Sequence, residues 1–280
     1  MNRDLTNGIR SRITRRTRDD LVSGGTLGDV PRGDTTPPGI SVAAAALGVR
    51  KTYGAGDTAV VALDGVTLEI PSGSFVAIMG PSGSGKSTLL HCLAGLDTPD
   101  SGRVVVGGHD LATLSDTRLT VLRRERVGFV FQAFNLVPAL TARENVVLPC
   151  ALGGVTPDPE WVDAVVDAVG LADRLGHRPH ELSGGQQQRV AVARALVTRP
   201  AIVFADEPTG NLDSRSGAEV LGFLRRAVDD WGQTVALVTH DPVAASHADT
   251  VVALVDGRIA HRVEHPSVER VLDLVTRLEV

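Results

Sequence analysis

From residue 43 onward, apolar positions fall into short continuous runs separated by longer stretches of helical spacing. The runs at 74–79, 127–131, 201–205, 234–238 and 250–255 are apolar apart from an opening Ser or Thr in three of them, rather than alternating. That pattern predicts strands buried on both faces, as in a parallel sheet. Residues 49–53 and 59–70, separated by Gly54-Ala55-Gly56-Asp57, alternate or run apolar and predict two strands joined by a turn. Leu89, Leu90 and Leu93 give 86–94 one apolar helical face. Thr141 and Glu144 form a T-x-x-E capping box that opens a helix through 151, and Trp161, Val162, Val165, Val166 and Val169 mark another over 157–169. Ser183 and Gln186 form an S-x-x-Q box opening a helix to about 196. Strands alternating with helices predict an α/β fold with a parallel sheet, interrupted by a helical insert where 132–182 loses the strand pattern. Residues 267–278 carry Val268, Val271, Leu272 and Val275 on one face of a last amphipathic helix, expected to pack on the core.

The first forty residues lack this periodicity. Arg3, Arg10, Arg12, Arg15, Arg16, Arg18 and Arg32 stand among Asp, Thr, Gly and Pro, a composition that buries too little apolar surface to offset its ordering entropy. A disordered Arg-rich arm is expected over 1–42, with an anionic-lipid or partner-binding role as the alternative reading of its arginines. At 280 residues and 42% hydrophobic content the chain can bury one substantial core or two small ones. A net charge of -5 argues against nucleic acid as a partner. Cys92 and Cys150 have no metal spacing and read as buried free thiols of a reducing compartment. No apolar run reaches the 18 or so residues of a membrane span, and residues 1–39 contain no apolar stretch of a signal peptide.

The candidate chemistry sits at the ends of the apolar runs. Gly80-Pro81-Ser82-Gly83-Ser84-Gly85-Lys86-Ser87 matches G-x-x-x-x-G-K-[ST] between a predicted strand and a predicted helix. Gly80, Gly83 and Gly85 let the backbone curl so that its N–H groups face phosphates, and the helix dipole adds to them. Lys86 is placed to reach the β- and γ-phosphates and the Ser87 hydroxyl to ligate Mg²⁺; Thr88 extends the ATP-binding segment. Asp206 and Glu207 end an apolar strand, Asp206 suited to Mg²⁺ and Glu207 to general-base work on a water attacking the γ-phosphate. Strand alternation predicts that the two side chains point to opposite sides. In Leu182-Ser183-Gly184-Gly185-Gln186, two glycines in a first helical turn cost roughly 1 kcal/mol each against alanine and bare N–H groups at a positive helix end.

Taken in order, the phosphate loop, the Leu182–Gln186 pentapeptide, Asp206-Glu207 and Thr239-His240-Asp241 resemble the ATP-binding cassette family. The resemblance implies a RecA-like P-loop NTPase core with an antiparallel β subdomain and a helical insert. The corresponding boundaries are 43–262 for the ATPase domain, about 133–184 for the insert and 263–280 for the last helix. It further implies ATP and Mg²⁺ as cofactors, and two subunits, expected to be identical, closing face to face on two ATP molecules. On the family pattern Gln132 touches Mg²⁺ or the attacking water and His240 contacts the γ-phosphate. Tyr53 stacks on adenine through its ring rather than its hydroxyl. Ser183, Gly184, Gly185, Gln186 and Asp213 serve the ATP of the other subunit. Tyr53-Gly54-Ala55-Gly56, Phe129-Val130-Phe131-Gln132 with Phe134-Asn135-Leu136, Thr141-Ala142-Arg143-Glu144-Asn145-Val146 and Glu207-Pro208-Thr209-Gly210-Asn211-Leu212-Asp213-Ser214 resemble one branch, the ATPase subunits paired with FtsX-like permeases. That implies an integral-membrane partner, a peripheral place on the cytoplasmic face of the cell membrane, and docking near Phe134, Leu136, Val137 and Leu140. A soluble, non-transport ATPase of the same family is the alternative; the absence of an internal repeat or coiled-coil insert argues against it.

Overall fold

The computed structural model describes residues 41–278, so the arm expected at 1–42 lies, through residue 40, outside the described residues. Strand β1 (Val42–Tyr53) pairs antiparallel with β2 (Val60–Pro71). The chain then enters a second sheet as β3 (Phe75–Met79) and passes through the glycine-rich loop into α1 (Lys86–Leu93). β4 (Ser101–Val106) and β5 (His109–Asp110) return to the first sheet, whose order is β2-β1-β4-β5. After α2 (Asp116–Arg126) and β6 (Val127–Phe131) come α3 (Ala142–Leu152), α4 (Pro159–Ala168) and α5 (Gly184–Leu196). The remaining elements are β7 (Ile202–Asp206), α6 (Ser214–Trp231), β8 (Val235–Val238), α7 (Pro242–Ala245), β9 (Thr250–Val255), β10 (Arg258–Glu264) and α8 (Val268–Leu278).

The second sheet runs β10-β9-β3-β8-β7-β6, parallel except for β10. Both faces of its parallel strands are covered, which is why their sequences are apolar without alternation. Phe75, Ala77 and Met79 enter one core, shared with the helices of the insert and α6, while Val76 and Ile78 enter the other, shared with α1 and the antiparallel sheet. The insert is joined to the main body by aromatic packing. Trp161 of α4 meets Trp231 edge-on at 4.8 Å between centroids, and its indole N–H donates to Leu196 O at 3.3 Å.

Local sequence explains most boundaries. Both capping boxes form with both arms: Thr141 with Glu144, and Ser183 with Gln186. α6 is capped by Asp213 and ends at Gly232 in the left-handed region (φ 63°). α8 buries Val271 and Leu274 against the body. Among the described residues Cys92 and Cys150 are free and buried, and no helix is long and apolar enough to cross a membrane. β1 begins at Val42, near the start of the apolar pattern at 43, and its four alanines at 43–46 are buried.

Candidate active site

Register brings the candidate residues together. Ile78 pairs with Val238, Val238 with Asp206 and Asp206 with Phe131, so the ends of β3, β8, β7 and β6 lie level. Past those ends come Gly80, His240, Glu207 and Gln132 on one edge of the sheet. The phosphate loop fits there only as glycine. A Cβ at Gly80 (φ 149°) would lie 2.0 Å from Leu254 O, and one at Gly85 (φ 100°) 2.2 Å from Ala62 O. Gly85 is also the N-cap of α1 and offers no side-chain cap, which leaves the N–H groups of the first turn facing outward for an anion. Lys86 folds back over the loop, donating to Gly80 O at 2.9 Å and Pro81 O at 2.8 Å. Burial lowers its pKa, and the Glu207 and Asp206 carboxylates work against that shift. Ser82 is exposed beside it, Ser84 is buried with its hydroxyl unpartnered, and Ser87 is exposed on the first turn of α1.

Asp206 is the residue that fits a cation. Its Oδ1 is buried with no hydrogen-bond partner. Burial pushes its carboxyl pKa up; the charge of His91 opposes this, the neighbouring Glu207 adds to it, and Lys86 and the Ser87 hydroxyl oppose it. A divalent ion would satisfy that oxygen. Among the described residues no group of three or more His, Cys, Asp or Glu side chains could hold a metal. An ion here would therefore draw on one carboxylate, the Ser87 hydroxyl, Gln132 and phosphate oxygens, the mode typical of Mg²⁺.

Glu207 departs from the expected alternation. It leaves β7 in the left-handed region (φ 45°), its N–H donating to Val238 O at 2.9 Å. This aims the carboxylate at His240, whose Nδ1 lies 2.8 Å from Glu207 Oε1. A carboxylate only accepts, so Nδ1 carries the proton in this pair and Nε2 is left outward on an exposed ring. Gln132 is exposed and held by Asn211 reciprocally: Gln132 Nε2 donates to Asn211 Oδ1 at 3.3 Å, and Asn211 Nδ2 donates to Gln132 O at 3.1 Å.

Tyr53 stands at the end of β1 and is 43% exposed, which leaves room for a flat ligand to stack on its ring. Its hydroxyl donates to Asp97 Oδ2 at 2.6 Å, and Lys51 Nζ donates to Asp97 Oδ1 at 2.7 Å. The Asp97 bond, burial and the neighbouring Thr88 hydroxyl are the leading influences on the tyrosine, the first two raising its pKa. Tyr53 and Thr88 are thus brought together, and the hydroxyl is an anchor that sequence reasoning did not anticipate.

Ser183 and Gln186 satisfy each other: Ser183 N–H donates to Gln186 Oε1 at 2.9 Å and Gln186 N–H to Ser183 Oγ at 3.2 Å. Gly185 is needed for packing as well, since a Cβ there would lie 2.7 Å from Ser216 Oγ. Asp213 caps α6 in its own chain, accepting from Arg215 N–H, Ser216 N–H and the Ser216 hydroxyl, which hold its pKa low. Three further residues order this region. Asn145 accepts from Val137 N–H at 2.8 Å and donates to Val137 O, Leu140 O and Thr141 O. Arg194 donates to Phe134 O and Asn135 O, two residues with positive φ. Gln188 joins α5 to the ends of β6 and β7. The available signal for Gln188 was a polar residue in the stripe it shares with Ala191, Val192 and Ala195, all buried.

A glycine-threaded loop between a central parallel strand and a helix, with an acid-ended strand two places along the sheet, defines a P-loop nucleoside triphosphatase. The family model described as ABC transporter matches residues 63–210, and the chain belongs to that family as its ATP-binding ATPase module. It is 49% identical over 212 residues to a macrolide export ATP-binding/permease protein, MacB, of Bdellovibrio bacteriovorus, covering 76% of this chain and 32% of that one. The chain thus spans about a third of the length of its MacB relatives. It is 48% identical over 213 residues to an ABC transporter ATP-binding protein of Thermotoga maritima, covering 75% and 91%. Among solved structures, the dimeric post-hydrolysis cassette MJ0796 bound to ADP and Pi superposes with TM-score 0.72 at 40% identity, covering 80% of this chain and 99% of that one.

Because burial raises the Asp206 pKa, its ionised form at neutral pH weakens the ligand-free fold, while a bound cation removes that penalty. Asp206→Asn is expected to raise the thermal midpoint of the ligand-free protein at neutral pH, by on the order of 1 kcal/mol or a few degrees. The extra stabilisation conferred by Mg²⁺ with ATP should disappear. Differential scanning calorimetry with and without Mg²⁺-ATP checks both; a ligand-free midpoint that falls counts against burial as the dominant influence.

Proposed function

We propose that this chain is the nucleotide-binding subunit of a transporter, hydrolysing ATP between two copies to drive an FtsX-like membrane permease. The observation that carries the reading is the level edge of four parallel strands, with the phosphate loop, Asp206, Glu207, His240 and Gln132 together and the Ser183 helix end satisfied by its own capping box rather than by the loop. In this reading residues 80–88 hold the phosphates, with Lys86 on the β- and γ-phosphates. Ser87, Asp206 and Gln132 hold Mg²⁺, which would neutralise phosphate charge when bound. Glu207 takes a proton from the attacking water as its oxygen bonds to the γ-phosphorus and the bond to the bridging oxygen breaks, leaving ADP. His240 orients Glu207 through the 2.8 Å contact and stands next to the γ-phosphate. The N–H groups of Gly184 and Gly185, with Ser183, Gln186 and Asp213, meet the ATP of the partner copy.

Glu207→Gln should bind ATP, cut turnover by about 10²–10⁴ and accumulate as a closed dimer. Size-exclusion chromatography in saturating ATP and Mg²⁺ tests this, and a mutant that stays monomeric there sinks the shared-site reading.

On the same reading Tyr53 sets affinity. Aromatic stacking on a base is worth roughly 1–3 kcal/mol, so Tyr53→Ala should raise KM about ten-fold or more with kcat little changed. Tyr53→Phe keeps the ring but loses the Asp97 anchor, so its KM should rise less, and Asp97→Ala, which removes the acceptor, should match it. Steady-state kinetics on the three variants decide; a kcat loss in Tyr53→Phe larger than its KM change removes the adenine assignment.

The permease reading rests on the MacB relatives, whose names join ATP-binding and permease functions in one protein. Docking is assigned to the segment after Gln132 and the adjoining groove of about 280 Å³ lined by Phe129, Phe131, Pro149 and Arg194. Leu136 packs on the core and Phe134 lies beside Gly184, which leaves Val137 as the exposed apolar group of that segment. Val137→Asp should abolish recruitment to membranes holding a co-expressed FtsX-like permease while basal ATPase survives. Membrane flotation reads this out; unchanged recruitment moves the docking site elsewhere, and no recruitment of the wild type favours a soluble ATPase.

A further inference from the structure

We infer that Gln188 is a positioning residue of the ATPase site, its buried amide fixing Gln132 and Glu207 to the helix that opens at Ser183. The inference rests on the roles given above to Gln132 and Glu207. Gln188 lies on α5, fully buried. Its Nε2 donates to Phe131 O at 3.1 Å and to Pro208 O at 2.5 Å. Phe131 immediately precedes Gln132, and Pro208 immediately follows Glu207. One amide group therefore touches the chain beside both residues, across the gap between β6 and β7 where the ladder ends at the Phe131–Asp206 pair.

The orientation of the amide follows from its partners. Both are carbonyl oxygens, so the nitrogen must face them, and both of its hydrogens are consumed. The Oε1 atom is then left buried without a hydrogen-bond partner. An unpaired buried oxygen is unfavourable, but without the amide Phe131 O and Pro208 O would both lose this donor, so the group serves the fold as well as the site. What it supplies is a fixed separation between two backbone segments that leave their strands in irregular conformations, Glu207 at φ 45° and Phe134 at φ 55°. α5 grips the other flank of Gln132 as well, through Arg194 on Phe134 O and Asn135 O. Movement of the Ser183 end of α5 is thereby transmitted to the Gln132 segment at two points and to Glu207 at one.

The test uses the full chain with Mg²⁺-ATP. Gln188→Met keeps the length and volume but has no donor; Gln188→Glu keeps the length and turns an acceptor toward two carbonyls. Steady-state kcat and KM, thermal midpoint, and ATP-dependent dimerisation in the Glu207→Gln background are measured for each. Gln188→Met leaves both carbonyls without this donor, so its thermal midpoint should fall by a few degrees; at a temperature where it stays folded, KM is expected to keep within about three-fold while kcat falls about ten-fold, with Gln188→Glu lower still. A kcat within two-fold of wild type in a folded Gln188→Met overturns the inference, as does a kcat loss that only tracks a fallen midpoint or a raised KM. Unfolding of both variants would assign the amide to the fold and overturn it too. Glu207→Gln alone is the control: if it keeps wild-type turnover, the site reading fails rather than the role of Gln188.

Discussion

The hydrogen-bond register of four parallel strands is the constraint on which the rest depends. Each strand advances about 3.3 Å per residue. A one-residue slip of β6 against β7 would therefore carry Gln132 about that far from its place beside Glu207, and would also exchange the two buried faces of the strand. The register is secured because neither face is interchangeable. Phe204 and Ile202 fill the core beneath the antiparallel sheet, while Val203 and Ala205 meet the helices. The same packing that stabilises the sheet thus fixes the mutual placement of the polar residues past its edge.

Beyond that edge the chain accepts conformations that folding alone disfavours. Asp206 has an unpaired buried oxygen, and Glu207, Phe134 and Asn135 have positive φ without being glycine. Strained backbone of this kind costs on the order of 1–3 kcal/mol per residue and persists only where the surroundings over-determine it. Here the surroundings are identifiable: Val238 O accepts from Glu207 N–H, Arg194 donates to the carbonyls of Phe134 and Asn135, and Asn145 ties down the segment from Val137 to Thr141. Concentrating these features between two well-packed cores is what lets a small site be both irregular and rigid.

The parallel strands were legible because burial on both faces writes itself as uninterrupted apolar runs, and the capping boxes at Thr141 and Ser183 because their spacing is local. α2 was not legible: only Leu122 of its 11 residues is buried, so no apolar stripe marks it. β10 was missed because it is an edge strand with no buried position. At the site, residue types and order led to the phosphate loop, Asp206, Glu207, His240 and Gln132, but not to their directions. Strand alternation failed for Glu207 because a single left-handed residue breaks the period of two. Gln188, Arg194 and Asn145 escaped because one polar residue in a helix reads as solvent-facing, and only tertiary contacts reveal which backbone carbonyls need a donor.

The two glycine-containing helix starts look alike in sequence and differ in chemistry. α1 begins at Gly85 with no side-chain cap, so its first N–H groups meet no competing acceptor from the chain itself. α5 begins at Ser183 with a complete box in which the Gln186 N–H is already bound. Its anion-binding capacity is reduced to the N–H groups of Gly184 and Gly185, and Gly185 is pressed against Ser216. On the proposed reading this inequality orders the events. ATP settles first on the uncapped loop of its own chain, where a whole first turn and Lys86 await it. The weaker, half-satisfied helix end of the other copy engages only a phosphate already held in place, so closure follows binding instead of competing with it.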